Sequence, residues 1–123
     1  MPMTDPVLTK RIPTAPWGDP KDRHYVDYDE YVKGGGYQML EKALGMEPAQ
    51  IVEMVKESQL RGRGGAGFPC GVKWTFLPEE DGGRRYLAIN CDEAEPGTFK
   101  DRQLVDFDPH LVLEGIAITC HAC

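Results

Sequence analysis

Four glycines crowd into six residues of this 123-residue chain, Gly62-Arg63-Gly64-Gly65-Ala66-Gly67. No regular element tolerates that density, so the run reads as a loop that separates an arm and helices over residues 1–59 from a second part over 60–123. Without Cβ atoms the backbone can approach a ligand closely. A helix starting near Pro69 or Gly71 points its amide dipoles at the same place, and Arg63 and Lys73 add positive charge, a combination that suits phosphate. Further along, Asn90-Cys91-Asp92-Glu93-Ala94-Glu95-Pro96-Gly97-Thr98 gathers carboxylates and an amide, which suit sugar hydroxyls. The two runs together read as a nucleotide site.

Around them the periodicity is mostly helical. The first 30 or so residues, rich in Pro, Asp and aromatics with a turn at Trp17-Gly18-Asp19-Pro20, read as an extended arm. Gly34-Gly35-Gly36 precedes a short helix from Tyr37 to Leu44, with Gly45 as its C-terminal cap. Pro48 opens a second helix to about Gln59, with Ile51, Met54 and Val55 as its buried stripe. Tyr86 to Asn90 is a compact apolar run that reads as a buried parallel strand. Asp108-Pro109 starts a last helix, along which Leu111, Gly115, Ile118 and Ala122 recur at helical spacing. One strand cannot make a sheet, because its backbone groups need neighbours, so the chain is expected to be a fragment whose remaining strands follow residue 123.

Charge and composition narrow the function. A formal charge of -6 argues against nonspecific nucleic-acid binding, so phosphate must be held locally. Met1-Pro2-Met3-Thr4-Asp5 lacks the pattern of a signal peptide, and Leu111 to Cys123 is interrupted by Glu114 and too short to span a bilayer; a cytoplasmic protein without direct membrane insertion is expected. Cys120-x-x-Cys123 supplies two thiols, which do not complete a tetrahedral metal site, so no metal ligands are assigned. As a bare pattern Gly62-x-Gly64-x-x-Gly67 fits the dinucleotide fingerprint, yet that fingerprint follows a strand and this one follows a helical period. A Walker loop would need Ser or Thr after Lys73, where Trp74 stands. By spacing alone Phe68 and Phe76 read as core aromatics, and Asp92, Glu93 and Glu95 as an acidic turn; the glycine loop and the end of the strand favour a site instead. Lys100-Asp101-Arg102 reads as ion pairing and helix entry, His110 as a packing or surface residue, and Trp74 as core.

Both runs, with Gly71-Val72-Lys73-Trp74, Lys100-Asp101-Arg102, Asp108-Pro109-His110, Glu114-Gly115 and the upstream Gly35-Gly36-Tyr37 to Leu44-Gly45, resemble the NADH-binding flavoprotein subunit of respiratory complex I (NADH-quinone oxidoreductase). Relatives in NAD-linked hydrogenases and formate dehydrogenases share these motifs. The resemblance implies an α/β fold: an N-terminal helical segment followed by the first part of a Rossmann-like parallel-sheet FMN-binding domain, truncated here. It implies FMN held by Arg63, Gly64, Gly65, Ala66, Gly67 and Lys73, with Asn90, Asp92 and Glu93 on the flavin or its ribityl chain. It implies NADH as substrate, its adenine on Phe68 and Phe76 and a ribose diol on Glu95. The resemblance implies that hydride passes directly to the flavin, in which case no catalytic nucleophile is needed. The resemblance also implies a 4Fe-4S cluster in the full-length protein, whose cysteines lie outside this chain. Implied partners are a thioredoxin-like 2Fe-2S subunit and a large 2Fe-2S/4Fe-4S subunit, in a complex peripheral to the inner face of the plasma membrane. The alternatives left open are a hydrogenase or formate dehydrogenase diaphorase, and a noncatalytic nucleotide-binding or assembly module.

Overall fold

A computed structural model describes residues 6–13, 16–78 and 82–123. They form two compact units, one gathering the chain up to Gln38 with Ala88–Gly115, the other Met39–Leu87 with Ile116–Cys123. Among the described residues the regular elements are helices, and the single β contact is an isolated antiparallel bridge between Arg61 and Pro69.

In the first unit a 3-10 turn over Pro20–Asp22 leads to α1 (Tyr28–Lys33), whose first turn is capped by the Asp27 carboxylate accepting from Glu30 N–H at 2.9 Å. The expected extended arm therefore already carries helix. Its aromatics close over α5 (Lys100–Phe107): Phe107 is fully buried, with Trp17 edge-on at 4.8 Å and Tyr25 stacked at 5.2 Å. Burying one Phe side chain this completely contributes about 2–3 kcal/mol. Val26 N–H donates to the Phe107 carbonyl at 2.8 Å, so backbone and rings fasten arm to helix together.

A second cluster surrounds Tyr31, whose hydroxyl donates to the Glu114 carboxylate while the Arg11 guanidinium lies 4.5 Å over its ring. Burial, then the bond to Glu114, pushes the Tyr31 hydroxyl well above the usual phenol range. Arg11 also pairs at 2.8 Å with fully buried Asp108, which precedes α6 (Pro109–Ala122) and accepts from Leu111 N–H. The expected helix start at Asp108-Pro109 is found, its cap carboxylate neutralised from the arm. Gly36 is fixed by contact, since a Cβ there would lie 2.0 Å from the Tyr31 ring. His110 packs among Tyr28, Tyr31 and Tyr37, as a packing residue should.

The second unit packs α2 (Gln38–Leu44), α3 (Pro48–Glu57), α4 (Cys70–Trp74) and the end of α6 around Ala43, Ile51 and Ala122. Trp74 is partly buried against this core, as expected. The α3 stripe differs: Ile51 is buried and Val52 packs beside it, whereas Met54 is 48% exposed. Gly45 closes α2 by donating to the Lys42 carbonyl at 3.2 Å.

The expected buried strand at Tyr86–Asn90 is not found. The segment is extended but makes no ladder among the described residues, and Tyr86 is 86% exposed, Ile89 48%. Its apolar composition is strand-like, but a ladder requires a partner with its own free edge, and the described residues offer none. The parallel sheet expected from the sequence is thus absent from the described residues, which are helical.

Candidate functional site

The glycine loop is tied at its neck and open at its tip. Gly62 N–H donates to the Phe68 carbonyl and Cys70 N–H to the Leu60 carbonyl, both at 2.8 Å, and the Arg61 guanidinium donates to the Gly67 carbonyl at 3.1 Å. Between these bonds Gly65 and Gly67 take positive φ of 107° and 62°, conformations an L side chain rarely adopts. A Cβ built on Gly64, Gly65 or Gly67 would meet nothing within 4 Å. The loop thus leaves open space beside bare backbone. Arg63 and Lys73 are exposed and form no ion pair among the described residues. Exposed cationic donors beside bare backbone are chemistry suited to a phosphate group. The loop follows a helix, α3, so the ordinary strand-loop-helix dinucleotide fingerprint does not apply.

Gly71 plays a different part from the loop glycines. A Cβ there would lie 2.5 Å from Lys56 N and 2.8 Å from its Cα, so α4 rests on the backbone of α3. That contact sets the start of α4, which carries Lys73 and ends two residues before Phe76. Phe68 and Phe76 meet with ring centroids 5.9 Å apart, and both are exposed, at 45% and 67%. They are not core aromatics. An exposed pair of rings beside an open glycine loop is a surface on which a planar heterocycle can stack. Lys73 also edges a hollow of about 500 Å³ lined with Trp74, Leu77, Tyr86, Leu87 and Cys120.

The acidic loop belongs to the other unit. Asn90 accepts Asp92 N–H on its side-chain oxygen at 3.2 Å, and the Glu95 carbonyl accepts Thr98 N–H at 3.1 Å. Asp92 lines a hollow of about 350 Å³ with Cys91, Glu93, Thr98, Asp101 and Arg102, while Glu95 is exposed outside it. Glu93 stands apart. Its carboxylate accepts Asp101 N–H at 2.7 Å and Arg102 N–H at 3.0 Å, with Lys100 Nζ at 3.7 Å. Burial alone would raise this carboxyl, but the two backbone donors and Lys100 hold it below its ordinary value. Lys100 is raised by its 2.8 Å bond to Asp101 and by Glu93. Lys100-Asp101-Arg102 thus forms the entry of α5 and its ion pairs, as expected. Sequence reasoning missed Glu93 as a cap and Gly71 as a close approach: the cap comes from eight residues away and no local capping pattern announces it.

The four cysteines are free thiols. Burial pushes the Cys123 thiol up, against the opposing charge of Arg85.

The family described as the Nuo51 FMN-binding domain matches residues 55–123, more than half of the chain, and the chain belongs to that family. It is 50% identical over 121 residues to the F 2 subunit of the NADH-quinone oxidoreductase of Rhizobium meliloti, covering 98% of this chain and 27% of that protein. It is 58% identical over 94 residues to the F subunit of the NADH-quinone oxidoreductase of Aquifex aeolicus, covering 76% and 22%. The corresponding Escherichia coli protein is 43% identical over 122 residues, covering 98% and 27%. The chain spans about a quarter of the length of these relatives. No helix among the described residues is long and apolar enough to cross a membrane.

Proposed function

We propose that this chain is the FMN-binding part of a subunit that oxidises NADH within an NADH-quinone oxidoreductase. The observation that carries the reading is the pinned, open glycine loop beside the exposed Phe68–Phe76 pair, in a member of the FMN-binding family. In this reading residues 1–59 are the arm and helices, and the ligand domain begins at residue 60. The extended Tyr86–Asn90 segment pairs with further strands of a Rossmann-like sheet supplied by the rest of a longer polypeptide. Its exposed apolar side chains and the hollow beside Trp74 and Leu87 are the faces such a sheet would cover.

Arg63 and Lys73 neutralise the flavin phosphate, and the backbone of Gly64, Gly65, Ala66 and Gly67 lets it approach. Asn90 and Asp92 offer amide and carboxylate to the ribityl or ring polar atoms. Phe68 and Phe76 stack the adenine of NADH, and the Glu95 carboxylate accepts hydrogen bonds from two ribose hydroxyls. FMN, when bound, supplies a ring that accepts two electrons as hydride and can release them singly. The chain's own residues bind, orient and exclude; none needs to act as nucleophile or base. A 4Fe-4S cluster elsewhere in the polypeptide, and iron-sulfur partner subunits of the same complex, would carry electrons onward, with the assembly on the cytoplasmic face of the membrane.

The test is to express the complete polypeptide and record its visible spectrum and its NADH-ferricyanide activity. Flavin absorbance with activity is expected. A folded polypeptide that takes up no FMN overturns the reading, and one that binds FMN without oxidising NADH reduces it to a binding module.

A further inference from the structure

Glu93 falls among the acids expected to touch the flavin, yet its carboxylate is already committed. Oε1 accepts from Asp101 N–H at 2.7 Å and faces Lys100 Nζ at 3.7 Å, while Oε2 accepts from Arg102 N–H at 3.0 Å. Its side chain is 6% exposed, leaving little surface for a ligand. The backbone at Glu93 takes a positive φ of 49°, a conformation that persists in a non-glycine residue only where its surroundings hold it.

The helix it reaches needs that carboxylate. The N-cap of α5 is Phe99, which has no side-chain acceptor, so without Glu93 the first-turn N–H groups of Asp101 and Arg102 would lose their partners. The far end of α5 is in turn fixed by Phe107 under Trp17 and Tyr25, and the Arg102 guanidinium lies 4.8 Å over the Trp17 ring. A continuous chain of contacts thus runs from the N-terminal arm through α5 to the loop that carries Asp92 and Glu95.

We propose that Glu93 is a positioning residue: its carboxylate locks the acidic loop onto α5, and so onto the arm, leaving Asp92 and Glu95 on either side to meet ligand. The consequence for NADH and FMN rests on the function proposed above; the lock itself does not. Ligand recognition then depends on arm residues remote from the ligands, since Trp17 and Tyr25 hold the helix that Glu93 grips.

The experiment uses the complete polypeptide with its flavin, as wild type and as Glu93→Gln and Glu93→Ala. Amide hydrogen exchange is read over residues 99–104, in flavin-loaded and flavin-stripped protein, beside flavin content and the kcat and KM for NADH. Exchange at Asp101 and Arg102 is expected to rise about tenfold or more in Glu93→Ala with or without flavin, as befits loss of a local bond. In Glu93→Gln, which keeps one acceptor oxygen, one amide is deprotected and the flavin stays. KM for NADH rises several-fold while kcat holds. Should Glu93→Ala fail to fold, Glu93→Gln carries the test. Unchanged exchange at both amides, with flavin lost, would make Glu93 a ligand contact and overturn the proposal. If wild type takes up no FMN, the functional reading fails, while the exchange of the stripped proteins still decides the role of Glu93.

Discussion

Among the described residues the glycine loop is bonded at its neck, through Gly62 to Phe68, Leu60 to Cys70 and Arg61 to Gly67, and the Cβ positions of Gly64, Gly65 and Gly67 face empty space; the acidic loop is braced by Asn90 on Asp92, Glu95 on Thr98 and Glu93 on α5. The first loop presents bare backbone, which on the function proposed above a ligand completes. The second has committed one carboxylate to its own support and kept the neighbouring ones exposed. Substitutions in the first should therefore disturb ligand more than fold, and in the second the outcome should depend on which carboxylate is changed.

The largest effect is expected at Gly65. In Gly65→Val the new Cβ meets no protein atom, so the folding cost comes from the 107° φ alone, about 1–2 kcal/mol. On the function proposed above flavin retention should be abolished, because the branched side chain would fill the open space beside bare peptide that the ligand needs. Absorbance after desalting reads flavin content and urea denaturation reads stability. Normal flavin content would break the assignment of the open loop.

Gly71→Ala reverses that pattern. Its Cβ would sit 2.5 Å from Lys56 N, backbone against backbone, and neither helix can yield by a rotamer change. A loss of about 2 kcal/mol is expected from displacing α4. Flavin and NADH binding should weaken only as far as Lys73 and Phe76 move with it. An unchanged urea midpoint would show that α3 and α4 are not held by this contact.

How much of this contrast was legible in the sequence follows from range. The glycine loop, the Pro48 helix and the Asp108-Pro109 start are local statements, written in φ preferences and caps, and they stand in the structure. The pairing of Phe68 with Phe76 needs α4 between them, and only the ligand-loop context lifted it above core packing. The cap by Glu93 joins residues that share no periodicity, so it reads in sequence as one more acid in a charged turn. The strand at Tyr86–Asn90 fails for the opposite reason: apolar composition is local, but a ladder belongs to two segments. Helix α1 is short and sits in a stretch whose Pro, Asp and aromatic residues obscure its period.

Within the acidic loop, Glu95→Gln sharpens the division between exposed and committed carboxylates. Losing one charge-assisted bond to a ribose diol should raise KM for NADH about tenfold, with flavin content and urea midpoint unchanged. Steady-state kinetics on the complete polypeptide check it. An unchanged KM would leave Glu95 without its ribose role and the acidic loop without an exposed ligand group beyond Asn90 and Asp92.

The smallest effect is the pH dependence of the Glu93 lock, and its sign is fixed by the direction of the shift. In the folded chain the carboxyl titrates below its ordinary value near 4.5, because burial, which would raise it, is outweighed by the N–H groups of Arg102 and Asp101 and by Lys100. A carboxyl depressed on folding adds stability that is present in full above the unfolded value and disappears as pH falls through the folded one. Wild type should therefore be more stable than Glu93→Gln at neutral pH, and the gap should close only below about pH 4.5. Urea midpoints of the two proteins across that range measure it, and taking their difference cancels the carboxylates they share. A gap that stays constant into acid would mean that the capping bond does not require the charge. Exchange at Asp101 and Arg102 would then separate a neutral hydrogen-bonded brace from no brace at all, which is the point at which the two loops would cease to differ in kind.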